Sequence, residues 1–176
     1  LNTKYFIRQD QTGRTMAQQN PGAFGPCWLV KGIKYVNSPN DEMLALDNTN
    51  LRDTAVISTS YQKNILQQPQ PDSAALLTLK NRENDAITYS FKASSPQFAV
   101  FSEIYYNAGW NAYLDGKKTD YVKANYALRG MYVPAGNHTI EFKFEPASYY
   151  TGRTLTIWSI SIIYLTILLS IVLYIR

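Results

Sequence analysis

The sequence predicts a mainly β protein: a β-sandwich of jelly-roll or immunoglobulin-like type, preceded by a small α+β unit and followed by one transmembrane helix. Three observations carry this. Between Ala74 and Pro146, short runs rich in aromatic and β-branched residues alternate with turn signals. Near the N-terminus a helix-start pattern, Ser38-Pro39-Asn40-Asp41, lies between two β-rich stretches. The 22 residues from Thr154 to Ile175 contain no Asp, Glu, Lys, Arg, His, Asn, Gln, Gly or Pro.

The pattern divides the chain into a small α+β unit over 1–60, a linker over 61–73, a sandwich over 74–150 and a membrane helix over 154–175. Leu1 to Ile7 reads as a strand, so the chain opens inside structure and is expected to be the C-terminal piece of a longer protein. Gln9 to Pro26, rich in Gln, Gly and Pro, reads as a long loop. Cys27 to Val36 reads as one strand. Ser38 then caps a helix with Pro39 at its first position, ending near Asn48, and Thr54 to Thr59 returns as a strand.

Tyr61 to Ser73, with two prolines and four glutamines, reads as connecting chain. The sandwich strands are expected at Leu76–Asn81, Ala86–Ala93, Phe98–Tyr106, Trp110–Leu114, Asp120–Val122, Tyr126–Val133 and Thr139–Phe144. In the last, Ile140, Phe142 and Phe144 face one way, and Thr139, Glu141 and Lys143 the other. Asp115-Gly116 supplies a hairpin turn, whose central positions need φ > 0. The final apolar stretch is about 33 Å long as a helix, at ~1.5 Å per residue, enough to cross a ~30 Å hydrocarbon core. Tyr149, Tyr150, Trp158, Tyr164 and Tyr174 suit interfacial anchoring, and Arg153 and Arg176 bracket the span.

Composition narrows function mainly by exclusion. A charged fraction of 17% and a hydrophobic fraction of 45% suit a folded core. The net charge of +4 is spread along the chain, so neither a nucleic-acid partner nor a polybasic membrane patch is expected. Cys27 and His138 are the sole residues of their types, which excludes a disulfide framework and metal sites built from several cysteines or histidines. No nucleotide-binding loop or serine-hydrolase elbow is present, and no catalytic, metal or cofactor-binding residue is assigned.

Among the β strands, Glu103, Asp115, Arg129 and Glu141 are interleaved charges. A carboxylate pair can hydrolyse glycosides at the right separation. The simpler reading pairs Arg129 with Glu103 or Glu141 as scaffold and leaves Asp115 to its turn. Trp110 shares its strand face with Ala112 and Leu114, which marks a core position, whereas Asn111 and Tyr113 point outward. Glu103, Trp110 and Arg129 are thus structural candidates. Asn111 and Tyr113 are candidate glycan contacts, since a ring can stack on a sugar while an amide bonds its hydroxyls.

The stretch Ser102 to Pro146 carries a run of short motifs: Ser102-Glu103 with Tyr105-Tyr106, Gly109-Trp110, Asp115-Gly116-Lys117, Asn125-Tyr126 with Leu128-Arg129-Gly130, and Val133-Pro134-Ala135-Gly136 with His138. Together they resemble the C-terminal extracytoplasmic domain of the YfhO family of bacterial membrane proteins, with the last helix following. The resemblance implies long polytopic proteins similar to GT-C glycosyltransferases, which take sugars from polyprenyl-phosphate carriers and glycosylate cell-envelope polymers. It implies the bacterial inner membrane, with the soluble part extracytoplasmic and the lipid bilayer, polyprenyl-phosphate sugar and envelope glycan as partners. It also places the acidic catalytic residue on a loop upstream of Leu1. The alternatives are a membrane-anchored glycan-binding module without catalysis and a structural or flippase-accessory domain.

Overall fold

The computed structural model describes residues 3–175; Leu1, Asn2 and Arg176 lie outside the described residues, and with them the start of the first expected strand and one bracketing arginine. The chain opens with an antiparallel hairpin, β1 (Tyr5–Gln9) and β2 (Thr15–Gln19). Asp10 builds its turn by accepting from the amides of Thr12 and Arg14 at 2.8 and 2.9 Å. The expected loop from Gln9 to Pro26 is therefore strand over a third of its length, at Gln9 and Thr15–Gln19. A ribbon exposed on both faces has no buried side to impose apolar alternation, so Thr15 to Gln19 give no pattern to read.

The expected single strand 27–36 is two, β3 (Cys27–Val30) and β4 (Gly32–Val36). The amides of Lys31 and Gly32 both donate to the Asp53 carbonyl, at 2.7 and 3.0 Å, and the chain changes sheet there. Helix α1 (Pro39–Asp47) starts as expected, with Ser38 Oγ accepting from the Asp41 amide at 3.1 Å and Asn48 at its end. It returns the chain to β5 (Thr54–Ser58), parallel to β4, followed by a 3-10 turn over Thr59–Asn64.

The sandwich follows: β6 (Leu76–Arg82), β7 (Ala86–Ala93), β8 (Gln97–Ile104), β9 (Trp110–Leu114), β10 (Lys117–Thr119), β11 (Val122–Ala124), β12 (Leu128–Val133) and β13 (Gly136–Phe144). One sheet runs β10-β9-β13-β7-β6 and the other β11-β12-β8-β3. Of the expected strand Asp120–Val122, Asp120 and Tyr121 are instead the crossing between sheets, and Val122 opens β11. The expected strand from Tyr126 begins only at Leu128, because Asn125 and Tyr126 take left-handed backbone angles (φ 49° and 69°).

Tyr89, Phe91, Phe101, Met131, Ile140 and Phe142 fill the space between the sheets. The Phe101 ring centroid lies 4.7 Å from Tyr89 and 5.0 Å from Phe142. A second core forms on the far side of the four-stranded sheet, where Phe98, Val100, Val122 and Ala124 meet Ala55, Ile57 and Ile65. Strand β8 is thus covered on both faces, and its run Phe98-Ala99-Val100-Phe101 is apolar without alternation. Strand β3, from the first sixty residues, hydrogen-bonds to β8. Residues 61–73 are laid against the sandwich: Ile65 is buried, Gln97 Nε2 donates to the Gln70 carbonyl at 2.7 Å, and Asp72 accepts from Ser94.

Helix α2 (Ala147–Ile175) begins seven residues before the uncharged stretch and is solvent-exposed throughout. It is long and apolar enough to cross a membrane. Its hydroxyls turn back onto its own carbonyls, for example Thr156 to Gly152, Ser159 to Leu155 and Ser161 to Ile157 at 2.8–2.9 Å. That leaves those donors satisfied without water, as a lipid environment requires.

Candidate functional site

Strand β9 places Ala112 in the core at 1% exposure, and Asn111 and Tyr113 on the opposite side. These two converge on a third residue, Glu145. Asn111 Nδ2 donates to Glu145 Oε2 at 2.9 Å and Tyr113 Oη donates to the same oxygen at 2.6 Å. Glu145 Oε1 accepts no hydrogen bond among the described residues. Lys143 Nζ lies 5.1 Å from the Tyr113 ring centroid and 3.3 Å from Glu141. The Tyr113 hydroxyl, then the Asn111 amide, holds the Glu145 carboxyl below its ordinary value, and the same carboxylate pushes the Tyr113 phenol up.

Neither Glu145 nor the role of Lys143 emerged from the sequence. The signal was there: Glu141, Lys143 and Glu145 share one parity, so the outward face of β13 continues one step past the strand. The amide of Glu145 donates to the Gly109 carbonyl at 2.6 Å, which keeps it in line with β9.

The structural candidates Glu103 and Arg129 are arranged differently from the ion pair expected of Arg129 with Glu103 or Glu141. Arg129 is buried, but among the described residues no carboxylate lies in ion-pair range. Its Nε donates to the Ile104 carbonyl at 3.0 Å, and its guanidinium sits 4.3 Å from the Trp110 ring centroid and 5.0 Å from that of Phe142. Glu103 pairs with Arg82 at 2.7 Å, and Glu141 with Lys143. Aromatic faces with their negative quadrupole hold the cation in place of a carboxylate. Burial lowers the proton affinity of Arg129, and its Nη1 has no hydrogen-bond partner. Trp110 is partly buried and packs against the inter-sheet core.

Five of the other motif residues, Gly109, Asp115, Asn125, Gly130 and His138, are framework. Asp115 accepts from the Thr139 amide at 2.8 Å and bonds His138 Nδ1 at 2.6 Å, clasping the β9–β10 turn to β13. A side chain at Gly130 would meet the Phe98 ring at 2.6 Å, and one at Gly109 the Phe144 ring at 2.6 Å. Asn125 exchanges bonds with the backbone of Val56, both at 2.8 Å, and so imitates a strand neighbour. The adjacent Tyr126 amide donates to Glu42, a buried carboxylate on α1 that also meets Lys123 at 3.2 Å.

Two recesses flank this framework. A polar one of about 780 Å³ is bordered by Arg82, Ser102 and Glu103, and an apolar cleft of about 430 Å³ by Phe24, Trp28, Met43, Leu46 and Tyr126. Among the described residues no cluster of His, Cys, Asp and Glu has the make-up of a metal site.

Comparison with known proteins agrees with the membrane-helix architecture. The family model described as "Bacterial membrane protein YfhO" matches residues 36–156. The "Uncharacterized protein YfhO" of Bacillus subtilis (strain 168) is 30% identical over 112 residues, covering 62% of this chain and 12% of that protein. The chain therefore spans a small part of the curated relative's length. No solved structure matches. With the family match covering more than half of the chain, from β4 through the sandwich into α2, the chain belongs to the YfhO family of bacterial membrane proteins.

Proposed function

We propose that this chain is the extracytoplasmic sandwich and adjoining helix of an inner-membrane, GT-C-like glycosyltransferase that moves sugar from polyprenyl phosphate onto cell-envelope polymers. Its own part is to hold glycan beside the bilayer, with sugar transfer carried out elsewhere in the longer protein. The observation that carries this is the Asn111–Tyr113–Glu145 cluster, two residues ahead of α2. A carboxylate braced through one oxygen and open at the other can accept sugar hydroxyls without first being ordered. Lys143, whose Nζ lies over the Tyr113 ring, adds a cation beside the carboxylate.

The test is calorimetric titration of the full chain in nanodiscs with envelope oligosaccharides. Wild type should bind, and Glu145→Gln should bind at least severalfold more weakly at an unchanged melting temperature. Absence of heat at millimolar ligand would sink the glycan-holding role. It would leave the second reading, a non-catalytic structural cap or flippase accessory, which the framework duties of Asp115, Gly109, Gly130 and Arg129 favour.

A further inference from the structure

We propose that the end of the sandwich from which α2 departs is a lipid-facing surface resting in the headgroup layer of the bilayer. This inference is independent of sugar binding. Topology brings several segments to that end, among them the polar β6–β7 turn over residues 83–85, whose Asp85 carbonyl accepts from the Phe144 amide. Strand β13 finishes at Phe144 opposite Trp110, the first residue of β9. Strand β8 finishes at Ile104 opposite Leu128, the first residue of β12. The loop from Tyr105 to Gly109 joins β8 to β9, so it closes the same end, as does the turn at Tyr126 that precedes β12.

Four of the others leave a large side chain uncovered there. Ile104, Tyr106, Tyr126 and Phe144 are exposed at 57%, 53%, 41% and 38%. In the first turn of α2, Tyr149 and Tyr150 are also exposed. Tyrosines with an apolar ring and a polar tip are enriched where hydrocarbon meets water. The opposite end of the same sheet, where Gly136 pairs with Ala93 and Leu76 with Lys92, exposes one large apolar side chain, Leu76, among Lys92, Ser94, Ser95 and Asn137.

The helix sets the height. Only Glu145 and Pro146 separate β13 from α2, a reach of about 7 Å at most. At ~1.5 Å per residue α2 is about 43 Å long, against ~40–45 Å for a bilayer with its headgroups. With 154–175 in the hydrocarbon, residues 147–153 occupy about 10 Å of headgroup layer. The sandwich end then comes down on that layer. Arg153, in the stretch of α2 that crosses the headgroup layer, brings positive charge to the level of lipid phosphates.

The experiment uses the full chain in phosphatidylcholine–phosphatidylglycerol nanodiscs. A Cys27→Ala background carries either Tyr106→Cys or Asn137→Cys, labelled with an environment-sensitive fluorophore. The probe at 106 should shift to the blue and be quenched severalfold more than the probe at 137 by nitroxide on the lipid headgroup. Both positions are exposed, and near-UV circular dichroism checks that the fold is kept. Water-like emission at 106 would overturn the proposal. So would a blue shift without lipid quenching, which would mean that protein covers this end. No glycan is present, so the result is separate from the titration above.

Discussion

Arg129 shows how a residue's environment decides its energetics. A buried arginine opposite a carboxylate loses ~3–5 kcal/mol when one partner is removed, because the other charge stays behind. Here the partners are the Ile104 carbonyl and two aromatic faces, none of which is left charged. Arg129→Met gives up one charge-assisted hydrogen bond and the ring contacts but also relieves a desolvated cation. The expected loss is about 1–3 kcal/mol, read by chemical denaturation. Wholesale unfolding would show that Arg129 answers a carboxylate after all. At Gly130 the constraint is space: an added methyl would meet the Phe98 ring at 2.6 Å. Gly130→Ala should cost about 1–3 kcal/mol by overpacking, and a melting temperature equal to wild type would contradict the tight approach.

Acid sensitivity also belongs to single residues. The Asp115 carboxyl is held below its ordinary 3.8 by the bond to His138 first and the Thr139 amide second. Its folded-state value is depressed, so its contribution is full above the unfolded value and is lost as pH falls through the folded one. Stability should therefore decline below pH 3.8, and Asp115→Asn should flatten that part of the profile. A profile in Asp115→Asn as steep as wild type would assign the effect to other carboxylates, such as Asp72 and Glu145, which are lowered in the same direction.

At the scale of elements, the two ends of the chain sit at opposite extremes. Strands β1 and β2 are exposed along their whole length and pair only with each other. A lone two-stranded ribbon is marginal in water, so backbone amides within Tyr5–Gln19 should exchange hydrogen well before those of β7, β8 and β13. Equal protection measured by exchange mass spectrometry would mean that something covers the hairpin. Helix α2 has no buried side chain and depends on lipid for its cover. Leu165→Arg, at the middle of the uncharged stretch, should oppose insertion by ~2.5–3.5 kcal/mol. Unchanged membrane integration of that variant would show that the stretch does not span.

For the whole molecule, the four-stranded sheet is the organising layer. It carries the inter-sheet core on one face and the β4–β5 pair on the other, so the first sixty residues and the sandwich share a strand order and a second core. The sequence by itself determined what depends on neighbours along the chain. Ser38 and Pro39 start a helix through a local bond, the period-2 pattern of β13 names its faces, and an uncharged run declares α2. The core position of Trp110 and the outward side of Asn111 and Tyr113 follow from the same alternation.

Only the tertiary structure decided which distant groups meet. The sequence offered Glu103 and Glu141 to Arg129, but the fold hands Glu103 to Arg82 and Glu141 to Lys143, leaving Arg129 to aromatic rings. It breaks 27–36 at Lys31, because the Asp53 carbonyl collects the two amides there, and it delays β12 because Asn125 bonds the backbone of Val56. It also joins Glu145 to Asn111 and Tyr113 across more than thirty residues of chain. Pairing of that kind depends on sheet order and register, set by the sum of long-range contacts, and no local spacing encodes it.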